Sequence, residues 1–213
     1  MNLSEDFIQQ LQTLMQQVQT LLPAPPPAID WQQSLAFRWR MVGKQGYLEA
    51  IDDLSPIRLA DLQGIDRQKN EIFRNTQQFV AHKPANNVLL TGARGTGKSS
   101  LVKALVNEFA TQGLRVIEVD RDLLIDLPDI MQIIAHRPER FIIYYDDLSF
   151  TADDASYRAL KTILDGSLHA GSDNVLIYAT SNRRHLMPER LSDNDSYTHD
   201  EDGDLHPGET VEE

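Results

Sequence analysis

Gly92-Ala93-Arg94-Gly95-Thr96-Gly97-Lys98-Ser99 fits the pattern G-x-x-x-x-G-K-[ST], a loop whose backbone N–H groups can ring a phosphate. Each residue type has a task in that chemistry. Gly95 and Gly97 let the main chain turn its amides inward, and a following helix would put the positive end of its dipole there. Lys98 would neutralise β- and γ-phosphates, and the Ser99 hydroxyl would ligate Mg²⁺. Gly92, Ala93, Arg94, Thr96 and Ser100 complete the expected nucleotide-binding stretch. Further on, Phe141-Ile142-Ile143-Tyr144-Tyr145-Asp146-Asp147 is an apolar run ending in two acids. After a phosphate loop, Asp146 would hold the Mg²⁺ shell and Asp147 would polarise an attacking water. Val175-Leu176-Ile177-Tyr178-Ala179-Thr180-Ser181-Asn182 ends in an amide. Asn182 can orient water beside the γ-phosphate, or it can simply form a turn.

Three such groups converge only if strands deliver them to one edge. Asn87–Thr91, Leu114–Val119, Phe141–Tyr145 and Asn174–Thr180 read as strands. Lys98–Phe109, about Pro128–Ala135 and Asp154–His169 read as the helices between them. Continuous apolar strands alternating with helices predict an α/β three-layer sandwich around a parallel sheet, here over residues 56–190. Upstream, Leu3, Phe7, Leu11, Leu14, Val18 and Leu21 form one stripe of an amphipathic helix over 1–22. That helix packs on its own domain or on a partner. The prolines at 23, 25, 26 and 27 make residues 23–30 a stiff linker. Residues 31–55 hold Trp31, Phe37, Trp39 and Tyr47 with Arg38 and Arg40 between them, and are expected to form a small helical segment. Base stacking is the other use of such a pattern, but two arginines are few for it.

Composition narrows the classes. With 213 residues, 41% hydrophobic and 24% charged, the chain has the balance of a globular protein. It has no cysteine, which excludes disulfides, zinc-thiolate sites, iron–sulfur clusters and thiol catalysis. No apolar run is long enough to span a bilayer, and the first basic residue is Arg38. No leader is therefore expected, and the chain reads as cytoplasmic. The net charge of −12 belongs to one end: residues 193–213 hold nine acids and no Lys or Arg, and without them 23 acids face 20 bases. Residues 191–213 are expected to be an acidic tail without fixed order, its Gly203 misplaced for a calcium loop. A nearly neutral body lends nucleic-acid binding no support.

The three motifs together resemble the AAA+ superfamily of P-loop ATPases, with Walker A, Walker B and sensor 1 at successive strand tips. Leu59-Ala60-Asp61-Leu62-Gln63-Gly64-Ile65-Asp66 is similar to the segment that packs on adenine there; by that resemblance Leu62, Gly64 and Ile65 line the base pocket. Residues 92–100, 118–120, 138–141, 146–150, 154–157 and 179–188 resemble, more narrowly, a bacterial AAA+ family catalogued as Domain of Unknown Function eight-one-five. The resemblance covers most of residues 31–213. It implies ATP and Mg²⁺ as ligands, a homo-oligomer that completes the site, and a protein client. ATP is favoured over GTP, because no lysine sits in an [NT]-K-x-D segment.

Two departures stand out. Asp147 occupies the position where AAA+ proteins usually carry Glu, one methylene longer, so hydrolysis is expected to be slow. The superfamily sheet has the strand order 5-1-4-3-2, and only four of these strands can be placed. The fifth strand, arginine finger, sensor 2 arginine and lid are therefore expected after Glu213, which leaves the phosphate-loop strand at an edge. Four readings follow: a remodelling ATPase, a nucleotide-gated binding module with little turnover, a nucleic-acid loader, and a small-molecule kinase, against which the paired acids speak. Arg158 and Lys161 could contact a client, and Arg183, Arg184 and His185 a phosphate or a neighbouring subunit.

Overall fold

The computed structural model describes residues 7–10, 12–15, 28–148, 173–182, 198–199 and 205–206. Its main sheet has six strands: β1 (Ala36–Val42), β2 (Gln45–Ala50), β3 (Val88–Thr91), β4 (Leu114–Glu118), β5 (Arg140–Tyr145) and β6 (Val175–Ser181). They lie in the order β2-β1-β4-β5-β6-β3, and every pairing is parallel except that of β1 with β2. β3, β4, β5 and β6 thus reproduce the 1-4-3-2 part of the expected order. Among the described residues β3 pairs only with β6, so the strand that feeds the phosphate loop is an edge.

Alternation along the central strands builds a core on each face. In β5, Phe141, Ile143 and Tyr145 enter one apolar cluster and Ile142 and Tyr144 the other, as a period of two requires. The second cluster is covered by α1 (Asp66–Val80), which contributes Ile72, Phe79 and Val80, and by α2 (Lys98–Phe109), which contributes Leu101, Val102, Leu105, Val106 and Phe109. The first is covered by a 3₁₀ turn at Arg121–Asp126 and by α3 (Leu127–Ile134), through Leu124, Leu127, Ile130 and Ile134. Each such side chain contributes about 1.5–3 kcal/mol on full burial. Both faces are therefore layered by helix. α1 was not foreseen, although Ile72, Thr76, Phe79 and Val80 repeat at helical spacing on its buried side.

One expectation is corrected. Residues 31–55 are not a helical segment: they form the β1–β2 hairpin, with Val42 opposite Gln45 across Gly43 and Lys44. Gly43 has φ +61°, which a two-residue hairpin needs at its first turn position. Phe37-Arg38-Trp39-Arg40 alternates apolar with charged, a strand signal misread as helical. Pairing settles it: Phe37 and Trp39 go inward, while Arg38 reaches Glu118 at 2.7 Å and Arg40 reaches Glu49 at 3.0 Å. β1 then joins β4 in parallel, closing the sheet edge that four strands would leave open.

Residues 7–10 and 12–15 are helical. Phe7 and Leu14 of the stripe, and Ile8 and Met15 beside it, are exposed there. The acidic end is not wholly without order either: β7 (Thr198–His199) pairs antiparallel with β8 (Leu205–His206). The expected helix over Asp154–His169, together with Arg158, Lys161, Arg183, Arg184 and His185, lies outside the described residues.

Candidate functional site

The phosphate loop runs from the end of β3 into the first turn of α2. Gly92, Gly95 and Gly97 have φ of +150°, +81° and +85°, values that a side chain would resist. Gly97 is the residue from which α2 starts, and its carbonyl accepts the Leu101 N–H at 2.9 Å. The loop is tied to β6, because the Gly92 N–H donates to the Ser181 carbonyl at 3.2 Å. The Thr96 hydroxyl braces it from within by donating to the Ala93 carbonyl at 2.9 Å.

Lys98 Nζ donates to the carbonyls of Gly92 at 2.7 Å and Ala93 at 2.8 Å, and to Asn182 Oδ1 at 3.0 Å. Its three protons are thus held by oxygens at the place where phosphate oxygens would compete for them. One residue on, the Ser99 hydroxyl donates to Asp146 Oδ1 at 2.8 Å. Two more hydroxyls meet that same oxygen, Tyr144 at 2.8 Å and Thr180 at 2.6 Å. Burial pushes the Asp146 carboxyl up, but the hydrogen bonds from Thr180, Ser99 and Tyr144 outweigh it and hold the group below its ordinary value. Asp146 is therefore an anion at neutral pH.

Asp147 sits in the left-handed region, φ +55°, unusual for a residue with a side chain. Its N–H donates to Thr180 Oγ1 at 2.9 Å, and Asn182 Nδ2 donates to its Oδ1 at 2.6 Å. Arg94, Gly95, Gly97, Lys98, Ser99, Ser100, Asp146, Asp147, Thr180 and Asn182 together line a cleft of about 360 Å³. That is within the range of small-ligand sites.

The strand ends thus bring the predicted phosphate, metal and water groups together. Gly92, Ala93 and Thr96 support the loop from behind. Leu62 and Ile65 do not line the cleft; they flank the loop, each with a methyl 4.0 Å from where a Cβ on Gly97 would stand. Gly64, at φ +76°, supplies the bend between them. Thr180 and Tyr144 were missed, although a hydroxyl two residues before each acid or amide at a strand end was readable as a partner for it. A larger cavity of about 1110 Å³ lies elsewhere, and Asp30, Glu49, Asp52 and Glu108 outnumber Arg58 on its walls, which disfavours a phosphate there.

A family model described as "Protein of unknown function (DUF815)" matches residues 32–213. The chain belongs to the DUF815 family. The match takes in the hairpin and all three motif-bearing strand ends, so the whole cleft lies within the DUF815 region. No curated protein matches the chain. Among solved structures it is similar to PCH-2 of C. elegans, at 20% identity and a TM-score of 0.48 over 62% of this chain and 42% of that one. It is also similar to DnaI, at 21% identity and a TM-score of 0.45 over 72% and 79% of the two chains. The chain thus spans less than half the length of PCH-2.

Proposed function

We propose that this DUF815 protein is an AAA+ type ATPase, binding ATP with Mg²⁺ in the cleft and hydrolysing the β–γ bond to drive conformational work on a protein client within a homo-oligomer. The observation that carries the reading is the convergence of Lys98, Ser99, Asp146, Asp147 and Asn182, from three separate strand ends, on one cleft of about 360 Å³.

The donor set fits the cation. Ser99 and Asp146 are hard oxygen donors 2.8 Å apart, and among the described residues no cluster of three or more His, Asp or Glu competes for a metal. Two protein oxygens suit Mg²⁺, which keeps several waters and takes its other ligands from phosphate. Bound there, Mg²⁺ would supply neutralisation of the phosphate charge.

The chain's own residues do the rest. Loop amides and the α2 N-terminus hold the phosphates. Lys98 exchanges its carbonyl partners for phosphate oxygens. Asp147 accepts a proton from the attacking water, and Asn182 orients that water beside the γ-phosphate. The base would meet Leu62, Gly64 and Ile65, as the family resemblance implies; Leu62 and Ile65 flank the loop outside the phosphate cleft. The nucleotide-gated module is a second reading on one observation: Asn182 already engages Asp147 Oδ1 at 2.6 Å, so one of the two carboxylate oxygens has a partner other than water. The absence of cysteine and of a long apolar helix among the described residues supports a cytoplasmic setting.

A fluorescent-ATP titration with Mg²⁺, competed by ATP and GTP, tests the reading. Binding displaced better by ATP, and lost in Lys98→Ala, supports it; binding unchanged in Lys98→Ala overturns it. Turnover that disappears in Asp147→Ala while binding persists separates the enzyme from the module. Single-stranded DNA binding at low salt would point to a loader.

A further inference from the structure

We propose that Thr180 is a positioning residue that sets both carboxylates of the cleft, joining Asp146 to Asp147 through one hydroxyl. The inference rests on the nucleotide reading above. Thr180 lies near the end of β6, only 2% exposed. Its Oγ1 donates to Asp146 Oδ1 at 2.6 Å and accepts from the Asp147 N–H at 2.9 Å. A hydroxyl has one proton and two lone pairs, so both bonds can form at once. The Thr180 carbonyl also accepts the next N–H, that of Leu148, at 2.6 Å. One residue therefore holds two successive amides of the turn in which Asp147 adopts φ +55°.

Position in the sheet gives this its consequence. Thr180 is paired with Leu90 of β3, and β5, which carries the acids, lies on the other side of β6. The hydroxyl thus ties β6, which leads into Asn182, to both acids. Valine fills the same volume but leaves the Asp147 N–H without its acceptor and takes one of three hydroxyls from Asp146. Asp146 would then keep only Ser99 and Tyr144, and the left-handed turn would keep only its backbone bond to the Thr180 carbonyl. Partners of this kind around metal ligands are worth about 10–100-fold in affinity or activity.

The test compares full-chain wild type with Thr180→Val, Thr180→Ser and Thr180→Ala. The readouts are fluorescent-ATP affinity with Mg²⁺ and with EDTA, single-turnover hydrolysis, and the thermal midpoint. Thr180→Val is expected to bind nucleotide in EDTA as wild type does and to lose about tenfold of the gain that Mg²⁺ confers. Its single-turnover rate also falls, and Thr180→Ser restores both the rate and the Mg²⁺ gain. A Mg²⁺ gain in Thr180→Val equal to wild type overturns the proposal, as does Thr180→Ser failing with Thr180→Val. Should Val unfold the protein, Ser against Ala carries the same comparison; unfolding of Val and Ala alike overturns it in favour of a hydroxyl needed only for the fold. A wild type without Lys98-dependent ATP binding removes the nucleotide reading itself, an outcome distinct from the others.

Discussion

Asn182 bridges Lys98 and Asp147: its Oδ1 accepts from Lys98 Nζ at 3.0 Å and its Nδ2 donates to Asp147 Oδ1 at 2.6 Å. An amide has an acceptor end and a donor end, and a cation on one side with an anion on the other selects a single orientation. The phosphate-loop lysine and the second acid after β5 are thereby coupled through the residue that follows β6. A γ-phosphate that draws Lys98 away takes one of the two partners that fix Asn182. Replacing Asn182 with Ala should keep ATP binding within about threefold and lower hydrolysis about a hundredfold, as for other removed transition-state donors. Parallel binding and single-turnover assays check it; a variant that hydrolyses at the wild-type rate would show the bridge to be idle.

Asp147 combines a proton-accepting carboxylate with a backbone in the left-handed region. Asp147→Asn keeps the shape and removes the basicity, so ATP binding should persist while turnover falls about 10²–10⁴-fold, the usual contribution of a positioned base. Asp147→Glu lengthens the reach by one methylene. If the shorter side chain limits the rate, this variant should hydrolyse faster than wild type under the same conditions.

Gly46 has no room for a side chain. A Cβ there would stand 1.9 Å from Trp39 Cζ2, and the indole cannot swing aside without losing its Nε1 bond to Asp126 Oδ2 at 3.0 Å. Gly46→Ala should destabilise the fold by about 1–3 kcal/mol, read as a drop of several degrees in thermal midpoint. The site lies on other strands, so ATP affinity measured well below the midpoint should be unchanged.

Glu139 gives the pH dependence a definite sign. Burial raises its pKa, but hydrogen bonding to Arg137 and the charges of Arg137 and Arg115 more than compensate, leaving it below the ordinary 4.5. A depressed carboxyl stabilises the fold above its unfolded value and loses that contribution as pH falls through the folded one. Arg137 holds both carboxylate oxygens, at 2.9 and 3.0 Å, and stacks on the Trp31 ring at 4.2 Å. Wild type should therefore lose stability below pH 4.5. Glu139→Gln should begin less stable at neutral pH and show a flatter acid limb. Urea unfolding midpoints across that range would reveal equal slopes if the pair contributes nothing.

The linear sequence alone determined the phosphate loop, the two acids that follow β5 and the amide that follows β6, because each motif is short and its spacing is set by local chain geometry. It also determined four parallel strands and α2, whose limits Lys98–Phe109 were read as observed; continuous apolar runs have few other uses. Tertiary structure decided what depends on a partner distant in the chain. Phe37-Arg38-Trp39-Arg40 became a strand because β4 offered an open edge and Glu118 a counter-charge, neither of them visible within residues 31–55. Thr180 became a bridge only when β6 lay beside β5, bringing its hydroxyl to acids more than thirty residues earlier. A hydrogen bond of under 3 Å between distant residues is a property of the packed sheet, and neighbouring residue types carry almost no trace of it.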